Sequence, residues 1–222
     1  MTTGGFTCRT RTLDSGAVPL LSAGELPYSG MMNQKPAPAS KEQPLVILTT
    51  SRLILRAAVE EDISILQNLI FGDSEVMRFA FAGAPMAKDA AEDFIRRSFT
   101  FGESLTRMAV LSEKPAGEAI GFAGLSPCHA LKADDFEIGF VLARWAWGKG
   151  IATEIGEAQL AFGFDQLKCS RLLGLVDPRN APSIHALEKL GMRYLETIAE
   201  PKRGNRSIYV IGAGDWRRRH AE

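Results

Sequence analysis

"FEIGFVLARWAWGKGIATE", residues Phe136 to Glu154, changes its period half-way along. Its first part alternates, so that Phe136, Ile138, Phe140 and Leu142 fall on one face of a strand and Glu137, Gly139 and Val141 on the other. Past Trp147 the spacing turns helical, with Ile151, Ile155, Ala158 and Phe162 forming the apolar stripe of a helix packed on a sheet. The triplet Gly148, Lys149 and Gly150 therefore sits at the mouth of that helix. A helix start leaves its first N–H groups unpaired and carries a partial positive charge, and glycines let a ligand approach the backbone with no Cβ in the way. Such a turn suits an anion, most naturally a phosphate or pyrophosphate. Taken by itself the triplet is also what a plain strand-to-helix turn with an exposed lysine looks like. Neither GxxxxGK[ST] nor GxGxxG is present.

Outward from this stretch the chain sorts into two patterns. Before it, "LVILTTSRLILR" (Leu45 to Arg56) reads as a strand pair or one bent strand. "EEDISILQNLIFG" then places Ile63, Leu66 and Ile70 on one helical face ahead of Gly72, and a second helix is expected over Lys88 to Phe99. Three β-rich runs from Arg107, Glu118 and Phe136, separated by Lys-Pro, charged or glycine turns, predict an antiparallel meander. After it come a helix to Gln166, a strand from Arg171 to Val176, a helix from Ala181 to Leu190, and strands over Arg193 to Ile198 and Ser207 to Ile211. A meander followed by alternating strands and helices makes an α/β (α+β) fold, a mixed, mostly antiparallel sheet flanked by helices.

The chain has 222 residues, enough for one domain with a sizeable core plus an extension. Residues 1–44 are rich in Gly, Ser, Thr and Pro and show no sustained period, so they read as a disordered or loosely docked extension to a domain over 45–222. A true start at Met31 or Met32 is the alternative. Lys plus Arg and Asp plus Glu both number 26, so no overall charge draws the protein to nucleic acid or to a membrane surface. Cys8, Cys128 and Cys169 fit neither a disulfide framework nor a CxxC pattern, and no apolar run approaches the roughly 18 residues of a spanning helix. With no secretory signal layout either, the expectation is a soluble, cytoplasmic protein. His129 beside Cys128 lacks further ligands at useful spacing, so no metal site is expected.

A second stretch, "VDPRNAPSIHALEKLGM" (Val176 to Met192), combines a strand end, Asn180 as helix N-cap, Pro182 in the first turn, an apolar face of Ile184, Leu187 and Leu190, and Gly191 as a stop. With "FEIGFVLARWAWGKGIATE" ahead of it, the chain resembles the GNAT superfamily of acyl-CoA N-acyltransferases, in particular its RimJ/RimL branch, over about residues 47 to 215. The resemblance implies a GNAT fold and acetyl-CoA as co-substrate. It implies a primary amine as acceptor, a protein or peptide N-terminus in the preferred reading. A small-molecule amine such as an amino sugar, antibiotic or polyamine is the rival, and a non-catalytic acyl-CoA-binding module is the alternative outside that class.

The resemblance also implies roles. The pyrophosphate turn maps onto Trp147, Gly148, Lys149, Gly150, Ile151 and Ala152, with Thr153 following. Trp147 stands where many members carry Arg or Gln; this removes a side-chain contact but not the backbone amides. Phe140, Val141 and Leu142 are the strand positions whose main chain would meet the pantetheine and thioester, and Asn180 would contact the pantetheine arm. The tyrosine that many members use as general acid is replaced by Leu187. Ser183 stands where the branch carries a serine near the cofactor sulfur, though an ordinary first-turn serine reads the same way. Glu137 lies on the face that lines the acceptor cleft and is the candidate general base, acting through water, against the plainer reading of a solvated strand glutamate. An α-amino group titrates near 7.7 to 8.0 and a lysine near 10.4, so a base has less to do when the acceptor is an N-terminus.

Three further features have plainer readings. His185 lies off the apolar stripe and is expected exposed, with a proton shuttle as the alternative; Phe79, Phe81 and Phe94 are expected in the core rather than lining the acceptor side; "WRRRH" (Trp216 to His220) reads as a short solvated run rather than a patch for an acidic partner.

Overall fold

A computed structural model describes residues 43–221 apart from 103, 116 and 202. The expected extension over 1–44, with Cys8, Met31 and Met32, falls almost wholly outside the described residues. Eight strands form one sheet in the order β1-β2-β3-β4-β5-β6-β8-β7: β1 (Val46–Thr49), β2 (Leu53–Arg56), β3 (Met108–Glu113), β4 (Glu118–Cys128), β5 (Asp135–Leu142), β6 (Arg171–Val176), β7 (Arg193–Glu200) and β8 (Gly204–Gly212). Every neighbouring pair is antiparallel except β5 and β6. The sheet is mixed and mostly antiparallel, as the change from meander to alternation implies.

The single parallel pairing is the place where the sheet parts. β5 and β6 register at Glu137 opposite Leu173 and at no later position among the described residues. Beyond Glu137 β5 stays bonded to β4 as far as Leu142, while β6 follows β8. The buried side chain of Gln159 donates instead to the Gly139 carbonyl, at 3.0 Å. The sheet thus opens into a notch between the C-terminal halves of two parallel strands, the usual place for a site in sheets with crossovers.

Helices cover both faces. Helix α4 (Ile151–Ala161), continued by a π turn to Gln166, and α5 (Ala181–Lys189) lie on the face of Ile138, Phe140 and Leu142, burying Ile151, Ile155, Leu160, Phe162, Leu187 and Leu190. On the opposite face α1 (Glu60–Leu66), continued by a π turn to Phe71, α2 (Ser74–Met77) and α3 (Lys88–Ser98) pack Leu66, Ile70, Phe71, Met77 and Ile95 onto Val110 and Phe122, with Val141 at the margin. The alternation read from β5 therefore holds: one row of side chains meets α4 and the other faces the first three helices.

The C-terminus departs from expectation. Trp216 is buried on α6 (Ala213–Arg219), 5.9 Å from Phe164 between ring centroids, and Arg219 donates to the carbonyls of Leu190 and Lys189 at the end of α5. The apolar tryptophan anchors the run, and a cation suits a helix C-terminus. The arginines themselves stay exposed. Phe81 and Phe94 pack half-buried beside Phe71 and Phe122, as expected of core aromatics, and His185 is exposed. Cys128 is buried and Cys169 packs half-buried against the α4 side. No described helix is long and apolar enough to cross a membrane.

Candidate active site

The turn after β5 is held open by its own geometry. From Leu142 the chain makes one 3-10 turn (Arg144–Ala146); Gly148 and Gly150 then take φ values of +73° and +74°, and Gly150 is the N-cap of α4. Both glycines adopt the left-handed region that residues with a Cβ avoid at about 1–2 kcal/mol. A Cβ would meet nothing within 4 Å at Gly148, and at Gly150 only an Arg52 guanidinium nitrogen at 3.7 Å. Space lies over the turn, and no side chain caps the helix start. Ile151 is buried, so at that position only the backbone can serve a ligand. The side chain of Trp147 turns away, its Nε1 donating to the Leu142 carbonyl at 2.8 Å, and Lys149 Nζ lies 5.3 Å from the centre of the Trp145 ring.

A brace that the sequence did not announce holds this turn. Glu154, one turn into α4, accepts hydrogen bonds from Thr50 Oγ1, Ser51 Oγ, the Arg52 N–H and Arg52 Nε, and Arg52 Nη1 donates to the Lys149 carbonyl at 2.9 Å. Burial alone would raise the Glu154 carboxyl, but these donors outweigh it and hold it at about 2. The corner between β1 and β2 is thereby fastened to the α4 start.

Across the notch, Asn180 Oδ1 accepts from the Ser183 N–H at 3.3 Å, capping α5 as its sequence predicts. Asn180 and Ser183 are half-buried, in the cap and first turn of the helix that follows β6. Leu187 packs into the core, 2.9 Å from where a Cβ on Gly174 would stand. Phe140 and Leu142 direct their side chains toward α4, leaving main chain for the notch. Thr153 and Ala152 are half-buried in the first turn of α4.

Glu137 marks where β5 and β6 part. Its side chain is 16% exposed and is not a solvated strand glutamate. Burial raises its carboxyl above the usual range, opposed by the guanidinium of Arg203 at 3.4 and 3.5 Å. Two residues on, a Cβ at Gly139 would stand 3.0 Å from Met108 Cε, so the glycine makes room for the flexible Met108 side chain on the same face as the carboxylate. Around them stand residues that the sequence reading missed. Arg206, buried on β8, donates to the Phe81 carbonyl at 2.7 Å and reaches Asp177 at 3.4 Å, while Arg179 binds Asp177 at 2.8 and 3.0 Å. The Arg179 hydrogen bond, against burial, holds Asp177 at about 2. No spacing rule could have singled out these arginines, because each acts across a turn or across strands. Among the described residues no three His, Cys, Asp or Glu side chains gather as metal ligands would.

A glycine-framed helix start, a parted pair of parallel strands and a buried carboxylate at the fork form a composite that can be compared with known proteins. Residues 52–193 match the family model described as the acetyltransferase (GNAT) domain. The chain belongs to the GNAT acetyltransferase family. The Bacillus subtilis protein YkkB is 32% identical over 166 residues, covering 73% of this chain and 92% of YkkB. The N-acetyltransferase p20 of Bacillus licheniformis is 29% identical over 150 residues, covering 66% and 82%. Among solved structures, a GNAT-family acetyltransferase from Bacillus anthracis aligns with a TM-score of 0.64 at 22% identity, covering 75% of this chain and 98% of that one. The spermidine N-acetyltransferase of Vibrio cholerae, solved with CoA and spermine, aligns with a TM-score of 0.61 at 18% identity, covering 75% and 99%. These structures share the fold, and this GNAT protein is an acetyl-CoA-dependent acetyltransferase.

Proposed function

We propose that this chain, through a unit spanning residues 45–222, transfers the acetyl group of acetyl-CoA directly to an α-amino group, with Glu137 as general base. The carrying observation is the place of Glu137: a largely buried carboxyl, raised by that burial, at the fork of β5 and β6. Acetyl-CoA supplies the activated thioester. The turn at Gly148 to Gly150 and the first amides of α4 hold its pyrophosphate, Val141 and Leu142 offer main chain at the notch, and Asn180 steadies the pantetheine arm. Glu137 takes a proton from the incoming ammonium, through water, so that the neutral amine attacks the thioester carbonyl. The C–N bond forms as the C–S bond breaks, the Ser183 hydroxyl stabilises the departing thiolate in place of the tyrosine that Leu187 replaces, and the second proton leaving the nitrogen ends on that thiolate to give the amide and free CoA thiol.

An α-amino acceptor suits a base of this kind, since a raised carboxyl and an ammonium titrating near 7.7 to 8.0 lie closer together than the carboxyl and a lysine near 10.4. Protein or peptide N-termini, as in the RimJ/RimL branch, and small amines both remain within the reaction. The V. cholerae neighbour with spermine supports the small-molecule reading. Cytoplasmic action follows where acetyl-CoA is available.

Thiol release from acetyl-CoA against peptides, amino acids, polyamines and aminoglycosides, with calorimetry of acetyl-CoA alone, tests the proposal. Turnover with an α-amine that Glu137→Gln reduces without changing acetyl-CoA affinity is the expected result. Tight binding with no turnover would favour an acyl-CoA-binding module instead, and undiminished turnover by Glu137→Gln would remove Glu137 from the mechanism.

A further inference from the structure

On the reading that Glu137 is the base, we propose that the acceptor is a free α-amino acid and that Arg203 binds its carboxylate. Arg203 stands at the β7–β8 corner and aims both terminal nitrogens at both oxygens of Glu137, at 3.4 and 3.5 Å. Two residues back on the same strand, Asp135 holds Arg171 at 2.7 and 2.8 Å. Charge-assisted bonds close to about 2.7–2.9 Å when nothing holds them apart. The Glu137–Arg203 pair is therefore a loose one: two long hydrogen bonds join the guanidinium to a carboxylate that also accepts from the Leu175 N–H.

The neighbourhood leaves Arg203 underused. Its Nε is buried and has no hydrogen-bond partner, although the side chain as a whole is 32% exposed and open to a ligand. Arg206 adds a second, almost wholly buried guanidinium, held by the Phe81 and Asn205 carbonyls and reaching Asp177 only at 3.4 Å because Arg179 already takes that carboxylate. Glu200 is the remaining acid that acts on Glu137, by repulsion.

An α-amino acid carries its ammonium and carboxylate on adjoining atoms, and a side-by-side carboxylate and guanidinium offer each its opposite charge. Binding such a zwitterion exchanges one loose ion pair for two close ones: ammonium on Glu137, carboxylate on Arg203. A polyamine or aminoglycoside would instead bring further cations against Arg203 and Arg206. A peptide N-terminus presents a neutral carbonyl where the carboxylate would lie, a weaker acceptor for a guanidinium.

The test is acetyl transfer by the full chain to each of the twenty amino acids and to the α-amide of each, with spermidine and N-terminal peptides alongside. The best amino acid should exceed its own amide by about 100-fold in kcat/KM. Arg203→Gln should lower kcat/KM for that amino acid about 10- to 100-fold more than for its amide, since both feel the altered Glu137 but only the acid loses a carboxylate partner; the affinity for acetyl-CoA should be unchanged, and Arg203→Lys should recover part of the preference for the acid. Equal kcat/KM for acid and amide in the unmodified protein, or preference for spermidine or a peptide, would overturn the assignment while leaving acetyl transfer and Glu137 standing. No transfer to any amine, despite acetyl-CoA binding, would overturn the assignment together with the reading beneath it.

Discussion

The two sides of the notch are built in different ways. The side proposed for the cofactor is almost all backbone: two glycines with positive φ, an uncapped helix start and the main chain of β5, braced from behind by Glu154 and Arg52. The side proposed for the acceptor is mostly side chain: Glu137 from β5, Arg203 from the β7–β8 corner, Arg206 from β8 and Asp177 from the end of β6, with Phe81 joining through its backbone carbonyl. A backbone site binds what every acetyl-CoA shares. A side-chain site can be remade one residue at a time without disturbing the fold, so specificity belongs there.

The sharpest test of this division is Glu137→Gln, which should lower kcat by about 10²- to 10⁴-fold while calorimetry finds acetyl-CoA affinity unchanged. The same variant should lose the acidic limb of the pH–rate profile. In the unmodified protein that limb lies above the usual carboxyl value of about 4.3, because burial raises Glu137 and activity appears only as its proton leaves. If affinity for acetyl-CoA fell with kcat, the two sides would not be separable.

Gly150→Val reverses the pattern. Forcing a β-branched residue to φ of +74° costs about 1–2 kcal/mol or more, so acetyl-CoA should bind about tenfold more weakly while KM for the acceptor stays put. Titration calorimetry beside acceptor kinetics reads both.

Glu154→Gln probes the brace. Losing hydrogen bonds to a charged group should lower stability by about 1–3 kcal/mol at pH 7, measured by urea unfolding. The carboxyl is depressed to about 2 in the folded chain, so its stabilisation is complete above its unfolded value near 4.3 and is lost as pH falls toward 2. The gap between variant and unmodified protein should therefore close in acid; a gap independent of pH would mean packing, not charge, holds the turn. The smallest effect is expected of Asn180→Ala, about 0.5–2 kcal/mol for a lost helix cap, seen as a lower Tm.

The legible parts of the molecule are those whose cause is local. Alternation in Phe136 to Leu142 assigned both faces of β5 correctly, the Ile151 to Phe162 stripe gave α4, and Asn180 and Gly191 bracketed α5. The C-terminal run misled because a row of arginines reads as solvated, whereas a single buried tryptophan beside Phe164 decides that segment. The short α2, capped by Asp73, escaped because four residues show no period.

By itself the sequence determined most of the order of elements, the glycine turn at the mouth of α4 and which face of β5 carries Glu137, because periodicity, capping and backbone freedom act over a few residues. Only the tertiary structure decided that β5 and β6 part after Glu137. It alone brought Arg203 to Glu137 across 66 residues, Arg52 to Glu154 across 102 and Arg206 to Phe81 across 125. Those meetings depend on which strands become neighbours, and strand neighbours are chosen by burial of the whole sheet between its two layers of helices rather than by any local spacing.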